Sequence, residues 1–202
     1  SHQTVIDLAA NSTVPVINGL SDFCHPCQIM ADLQTIEEHR GRLTSLKIAY
    51  VGDGNNVTNS LIFAAGVLGM DLHVGAPHGY QPTVQVLERA RQLALQSDGE
   101  IVVHDDPLAA VDGADVIYTD SWVSMGQEGE SAERLKVFPP YQVNSGLLSH
   151  ARPDAIVMHC LPAHRGLEIT DEVMDGPHSV VFDQSENRLH AQKAILTLLL
   201  GV

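Results

Sequence analysis

Short apolar, β-branched runs alternate along the chain with longer segments in which apolar residues recur every three or four positions. Residues 46–51, 71–75, 100–104, 115–119 and 155–159 read as buried strands, with 14–17 and 180–182 as shorter candidates. Ile29, Leu33 and Ile36 predict a helix over 25–40, and Val57, Leu61, Ala64 and Leu68 predict one that stops at Gly69. Pro82 suits the first turn of a helix over 82–96, and Ala191, Ile195 and Leu198 share one face of a last helix over 185–200. Residues 124–150, with Gly126, Gly129, Pro139 and Pro140, read as irregular. Strands separated by helices imply an α/β fold with a parallel sheet and right-handed crossovers.

Ligands of such sheets bind beyond the carboxyl ends of the strands. The polar stretches that follow strand ends are 52–56, 120–125 and 159–165, so three separate loops are expected to converge on one cleft. Composition narrows the ligand. A formal net charge of −14 on 202 residues, with no basic stripe, argues against nucleic acid and anionic membranes as partners. With 44% hydrophobic and 18% charged residues, a sizeable core is available. Three cysteines and no long apolar run suggest a reducing, cytoplasmic setting.

Several residues can carry chemistry. Gly52-Asp53-Gly54-Asn55-Asn56 joins a strand to a helix, where backbone amides favour an anion, and Asn56 is a candidate cap. It is not a dinucleotide fingerprint, because Val57 stands where a third glycine is needed and 71–75 does not end in an acidic residue. Cys24-His25-Pro26-Cys27 has redox or zinc spacing, but a second ligand pair is lacking. A thiol oxidoreductase and a plain helix start both remain open for it. His159, Cys160 and His164 do not form a helical metal pair, so no metal is expected. Asp120, at a strand end beside Trp122, is either a turn cap or a ligand for an ammonium group.

Taken in order, His25-Pro26-Cys27-Gln28, Asn55-Asn56, Asp120-Ser121-Trp122-Val123-Ser124-Met125-Gly126-Gln127, His159-Cys160-Leu161-Pro162 and Glu186-Asn187-Arg188 resemble the motifs of the ornithine carbamoyltransferases. That family moves a carbamoyl group from carbamoyl phosphate to the δ-amine of L-ornithine, giving L-citrulline and phosphate, with no metal or organic cofactor. The resemblance implies that Asn56 and the Ser124-Met125 backbone hold the α-carboxylate, and that Asp120 binds the α-ammonium. Cys160 would lie beside the δ-amine. His25, Gln28 and Arg188 would address the carbamoyl group, whose amide hydrogens the Cys160 and Leu161 carbonyls would accept. The expected catalytic set is therefore Asp120, Cys160, His25 and Arg188.

The resemblance also implies a Rossmann-like sheet with helices on both faces, plus a remnant of a second α/β domain. The expected division is 1–24 as remnant of a carbamoyl-phosphate-binding domain, 25–45 as interdomain helix, 46–183 as ornithine-binding domain, and 184–202 as a helix returning to the first domain. The family is homotrimeric. Its S-x-R-T-R phosphate loop is not in the chain and is expected to precede Ser1. Phosphate needs clustered donors, and only His25, Arg188 and Arg165 are in view, so the chain alone is expected to have little activity. The alternative is a non-catalytic amino-acid-binding or interaction fragment.

Overall fold

The computed structural model describes residues 1–94, 99–124 and 126–201. Strands β1 (Lys47–Val51), β2 (Asp71–Gly75), β3 (Ile101–His104), β4 (Val116–Thr119) and β5 (Ile156–His159) form a parallel sheet in the order β3-β2-β1-β4-β5. Its register decides where the site lies. Val51 pairs with Thr119, and Thr119 with His159, so β1, β4 and β5 end level with one another. The next residues, Gly52, Asp120 and Cys160, therefore emerge side by side along one rim of the sheet.

Strands β1, β4 and β5 are buried on both faces, as expected of parallel strands covered by helices, while the edge strand β3 is half-buried throughout. On one face, Ile48, Tyr50, Leu72, Val74, Tyr118 and Met158 pack against α2 (Pro26–Arg40), α3 (Asn56–Leu68) and α4 (Val84–Ala94). On the other, Ala49, Val51, Ile117 and Val157 meet α5 (Pro107–Val111), α7 (Ser145–Leu148) and α8 (Asp171–Met174). Helix α1 (His2–Asn11) has no buried residue, and α6 (Ser131–Val137) stands beside the cleft. The last helix, α9 (Val181–Leu200), runs along α2, where Asn187 Nδ2 donates to Thr35 Oγ1 at 2.9 Å and Glu38 Oε2 at 2.8 Å.

Local chemistry sets the helix ends. Pro26 opens α2, and Gly41 closes it at φ +69°, a conformation that favours glycine. Asn55, not Asn56, caps α3: its Oδ1 accepts from the backbone N–H of Val57 and Thr58.

The five main strands match the sequence reading, and other expectations need correction. Residues 14–17 form no strand; Val14 and Ile17 are exposed and off the sheet. Residues 180–182 are not a strand either. The chain touches β5 through a single bridge, Val157 to Ser179, and turns helical at Val181, because so short an apolar run fits either state. The segment 124–150 contains α6 and α7, and α1, α5 and α8 were not anticipated. Helix 82–96 begins at Val84, and residues 95 and 96 lie outside the described residues. On α9, Ala191 is buried, but Leu198 is 82% exposed and the end of the helix stands clear.

Gly54 shows how tightly the β1–α3 turn is walled in. Its N–H donates to the Tyr80 carbonyl at 2.7 Å, and a Cβ on it would sit 2.4 Å from Pro82 N. Gly54→Ala is therefore expected to cost about 1–3 kcal/mol of stability. Gly129→Ala, where nothing lies within 4 Å, should stay within about 0.5 kcal/mol. Denaturant midpoints of the two variants check the contrast.

Candidate active site

A cleft of about 1350 Å³ opens across the tips of β1, β4 and β5. All three expected loops line it, and Asp120 lies at their junction. The Asp120 carboxylate accepts from Asn55 Nδ2 at 2.6 Å on Oδ2. On Oδ1 it accepts from Ser121 N at 2.7 Å and from the Cys160 thiol at 2.9 Å. One side chain thus joins the ends of three strands. Burial, and then the Asp120 charge, push the Cys160 thiol well above its ordinary range, so it stays a proton donor rather than a thiolate nucleophile.

The β5 loop is shaped by a buried pair. His159 Nδ1 accepts from Leu161 N–H at 2.9 Å, which leaves Nε2–H to donate to Glu168 Oε1 at 3.1 Å. Leu161 takes φ +56° and precedes a cis Pro162. Desolvation pushes the Glu168 carboxyl up, but hydrogen bonds from His159 and the His164 backbone outweigh it and hold the group below its usual range. Glu168 is 1% exposed yet lines the cleft.

A buried arginine braces the opposite wall. Arg134 Nη1 donates to Asp53 Oδ2 at 2.8 Å and to the Trp122 carbonyl at 2.9 Å, while Nε donates to Glu130 at 3.0 Å. Its guanidinium lies 4.9 Å from the Tyr80 ring centroid. This fixes the loop after β4, where Asn55 Nδ2 also reaches Ser124 Oγ at 3.4 Å.

His25 lines the far side of the cleft. Burial and the nearby Arg188 charge lower its pKa to about 4, against the Gly19 carbonyl and Asp120, so at neutral pH it offers a neutral N–H. Gln28 and Arg188 are not part of the lining; they pair with each other, Arg188 Nη1 donating to Gln28 Oε1 at 2.5 Å.

The cleft thus gathers His25, Asn56, Asp120, Ser124, Cys160 and Leu161. Met125 lies outside the described residues. Asn56 spends one amide N–H on the Ser21 carbonyl at 2.8 Å. Arg165 is tied to Asp171 and Asp175 rather than aimed at the cleft. Sequence reasoning missed the bond from Asn55 to Asp120, the Arg134 brace and Glu168, all of which join residues far apart or without a fixed spacing. Asp120, His159 and Cys160 bring possible metal-ligand atoms within 4.8 Å of one another, but each is already engaged in the internal bonds described above. Cys27 is buried with its thiol pKa raised by burial, opposite to the activated thiol of a redox motif.

Fold and cleft define a doubly wound α/β protein with a ligand site at the point where the strand order reverses. The chain belongs to the aspartate/ornithine carbamoyltransferase family. The profile of that family's Asp/Orn binding domain matches residues 44–199, and that of its carbamoyl-P binding domain matches residues 1–38. An ornithine carbamoyltransferase of Thermococcus kodakarensis is 59% identical over 200 residues, covering 99% of this chain and 64% of the relative. One from Carboxydothermus hydrogenoformans is 60% identical over 201 residues, covering 100% of this chain and 65% of the relative. The solved ornithine carbamoyltransferase of Pyrococcus furiosus superposes with a TM-score of 0.96 at 57% identity, covering 100% of this chain and 64% of that one. The chain therefore spans 64–65% of the length of these relatives.

Two outcomes follow from the electrostatics. Arg134→Met should cost about 3–5 kcal/mol at neutral pH, because it strands the buried Asp53 charge. Burial already raises the Asp53 pKa, so the cost shrinks as acid protonates it; unfolding curves at two pH values test this. The His25 ring should titrate near 4 in proton NMR, not at 6.5. Since the folded state disfavours the protonated ring, His25 withdraws stability as pH falls from 6.5 toward 4.

Proposed function

We propose that this chain is the amino-acid-binding part of an ornithine carbamoyltransferase, which converts carbamoyl phosphate and L-ornithine to L-citrulline and phosphate. The observation that carries the reading is one cleft lined by His25, Asn56, Asp120, Ser124 and Cys160, with the Asp120 carboxylate at its centre. In this reading, Asp120 binds the α-ammonium of ornithine, and the second amide N–H of Asn56 and the Ser124-Met125 backbone hold the α-carboxylate. The δ-amine, with a free pKa of about 10, lies beside Cys160. Once it has lost its proton to solvent, its lone pair attacks the carbonyl carbon of carbamoyl phosphate. The C–O bond to phosphate then breaks, phosphate departs with the bonding pair, and the attacking nitrogen gives its extra proton to the departing phosphate. Negative charge building on the carbonyl oxygen is met by the neutral His25 N–H and by Arg188. Gln28 and the Cys160 and Leu161 carbonyls orient the carbamoyl amide, and holding the two substrates together supplies much of the acceleration.

Few cations of this chain address a phosphate: Arg188 pairs with Gln28, Arg165 is engaged by two aspartates, and His25 is neutral. The isolated chain therefore binds ornithine but turns over little. In this reading residues 1–24 belong to the carbamoyl-phosphate domain, 25–45 form the connecting helix, 46–183 form the ornithine domain, and 184–202 return along α2. A homotrimer acting in arginine metabolism in the cytoplasm completes the reading. A non-catalytic amino-acid-binding fragment is the second reading, supported by the same cleft together with the scarcity of phosphate ligands.

Calorimetry with L-ornithine is expected to detect binding that Asp120→Ala weakens at least about tenfold. Equal affinity in the variant would remove Asp120 from its role. Citrulline formation after the chain is supplemented with the remaining part of a relative favours the enzyme over the binding fragment.

A further inference from the structure

Behind the cleft, hydrogen bonds run unbroken from Arg188 to the backbone of His159. Arg188 Nη1 donates to Gln28 Oε1 at 2.5 Å, and Gln28 Nε2 donates to Asp32 Oδ1 at 2.8 Å. From the other side, Gln184 Nε2 donates to the same Asp32 oxygen at 2.7 Å, while Gln184 Oε1 accepts from His159 N at 2.9 Å. The Tyr118 hydroxyl donates to Asp32 Oδ2 at 2.9 Å. Two pairs spaced four apart, Gln28/Asp32 on α2 and Gln184/Arg188 on α9, thus face each other across the packed helices.

The direction of this chain is forced. A guanidinium and a backbone N–H donate and do not accept. Each glutamine must turn its oxygen outward to one of them and its nitrogen inward to Asp32. The Asp32 oxygen must then accept from both. Gln28, Asp32 and Gln184 are at most 1% exposed, so bulk water does not replace a lost partner.

We propose that Asp32 is a positioning residue: its carboxylate is the acceptor that fixes how both glutamines point, and so ties Arg188 to the His159–Cys160 strand end. The transferase reading supplies the purpose of the tie, since Arg188 then addresses the carbamoyl donor and Cys160 the amine. A buried charge held only by neutral donors and a distant guanidinium is costly, which is a reason to expect a function for it. Burial pushes the Asp32 carboxyl up to about 6, against the pull of Gln28, Gln184, Tyr118 and Arg188. Protonation weakens the oxygen as an acceptor for two amides and removes the charge that faces Arg188. The groups facing Asp32 are Arg188 and Gln184 on α9, Tyr118 on β4, Gln28 on its own helix, and Cys160 just beyond β5.

The test is NMR of the nitrogen-labelled chain, following the Gln28 side-chain amide and Arg188 Nε–H from about pH 4 to about pH 8. Both resonances should move together with a midpoint near 6. Asp32→Asn should abolish that step while the backbone spectrum stays dispersed. A step that survives in Asp32→Asn, or no step in the parent, overturns the proposal. Should Asp32→Asn not fold, Tyr118→Phe removes one donor to the carboxylate and should raise the midpoint; an unchanged midpoint overturns the proposal equally. Ornithine and carbamoyl phosphate are then added to the parent sample. If neither disturbs the spectrum while the pH step behaves as expected, the transferase reading fails and the role of Asp32 stands. If ornithine shifts the Asn55 and Cys160 signals without any pH step, the reverse holds.

Discussion

The structure turns on one carboxylate placed where three parallel strands end. Asp120 takes hydrogen bonds from the loop after β1 through Asn55, from its own loop through Ser121, and from the loop after β5 through Cys160. This is possible because the register brings Val51, Thr119 and His159 level. A slip of one residue on β4 would turn every side chain to the opposite face and carry Asp120 out of the cleft. The bulk of the core, including the fully buried Tyr50, Tyr118 and Ile117, can be seen as what makes that register unambiguous. In return, the three donors satisfy a group whose desolvation would otherwise be costly.

How the groups around this carboxylate are charged matters as much as where they are. His25 is kept neutral by burial beside Arg188, and Cys160 is kept protonated by burial beside Asp120. Asp53 spends its charge on Arg134. His25 and Cys160 therefore face the proposed reacting centre as uncharged groups, and the Asp120 carboxylate beside Cys160 is already engaged by three hydrogen-bond donors. Such an arrangement suits an amine that must be uncharged to react, because a nearby unpaired carboxylate would hold it in its protonated form.

The parts visible in the sequence were those with a short-range signature. Strands β1, β4 and β5 could be read because parallel strands buried on both faces are near-continuous apolar runs, and β2 and β3 because short apolar runs bounded by polar residues and glycines mark strands even where they are half-buried. The three loops could be read because polar residues follow those runs directly. The short runs at 14–17 and 180–182 misled, since their length does not separate strand from helix or from exposed coil. Helix α5 carried a readable start in Asp106-Pro107, with Asp106 accepting from Leu108 N, but five residues give no periodicity. At the site, Asp120, Cys160 and His25 were found by motif. Of the Asn55-Asn56 pair the sequence reading takes Asn56 as the cap, whereas Asn55 caps the helix and reaches Asp120. Arg134 reaching Asp53, and Gln184 reaching Asp32, span 81 and 152 positions. No local pattern announces contacts of that kind.

The crowding at Gly54 has a consequence for how such a protein can diverge. Its missing side chain lets the β1–α3 turn press directly on the backbone of residues 80–82, and Tyr80 in turn supports Arg134. Position 54 and that strip are sterically coupled. A larger residue at 54 becomes admissible only where the strip has been lengthened or redirected in the same lineage, so the two should be seen to covary although no side chain of one touches a side chain of the other.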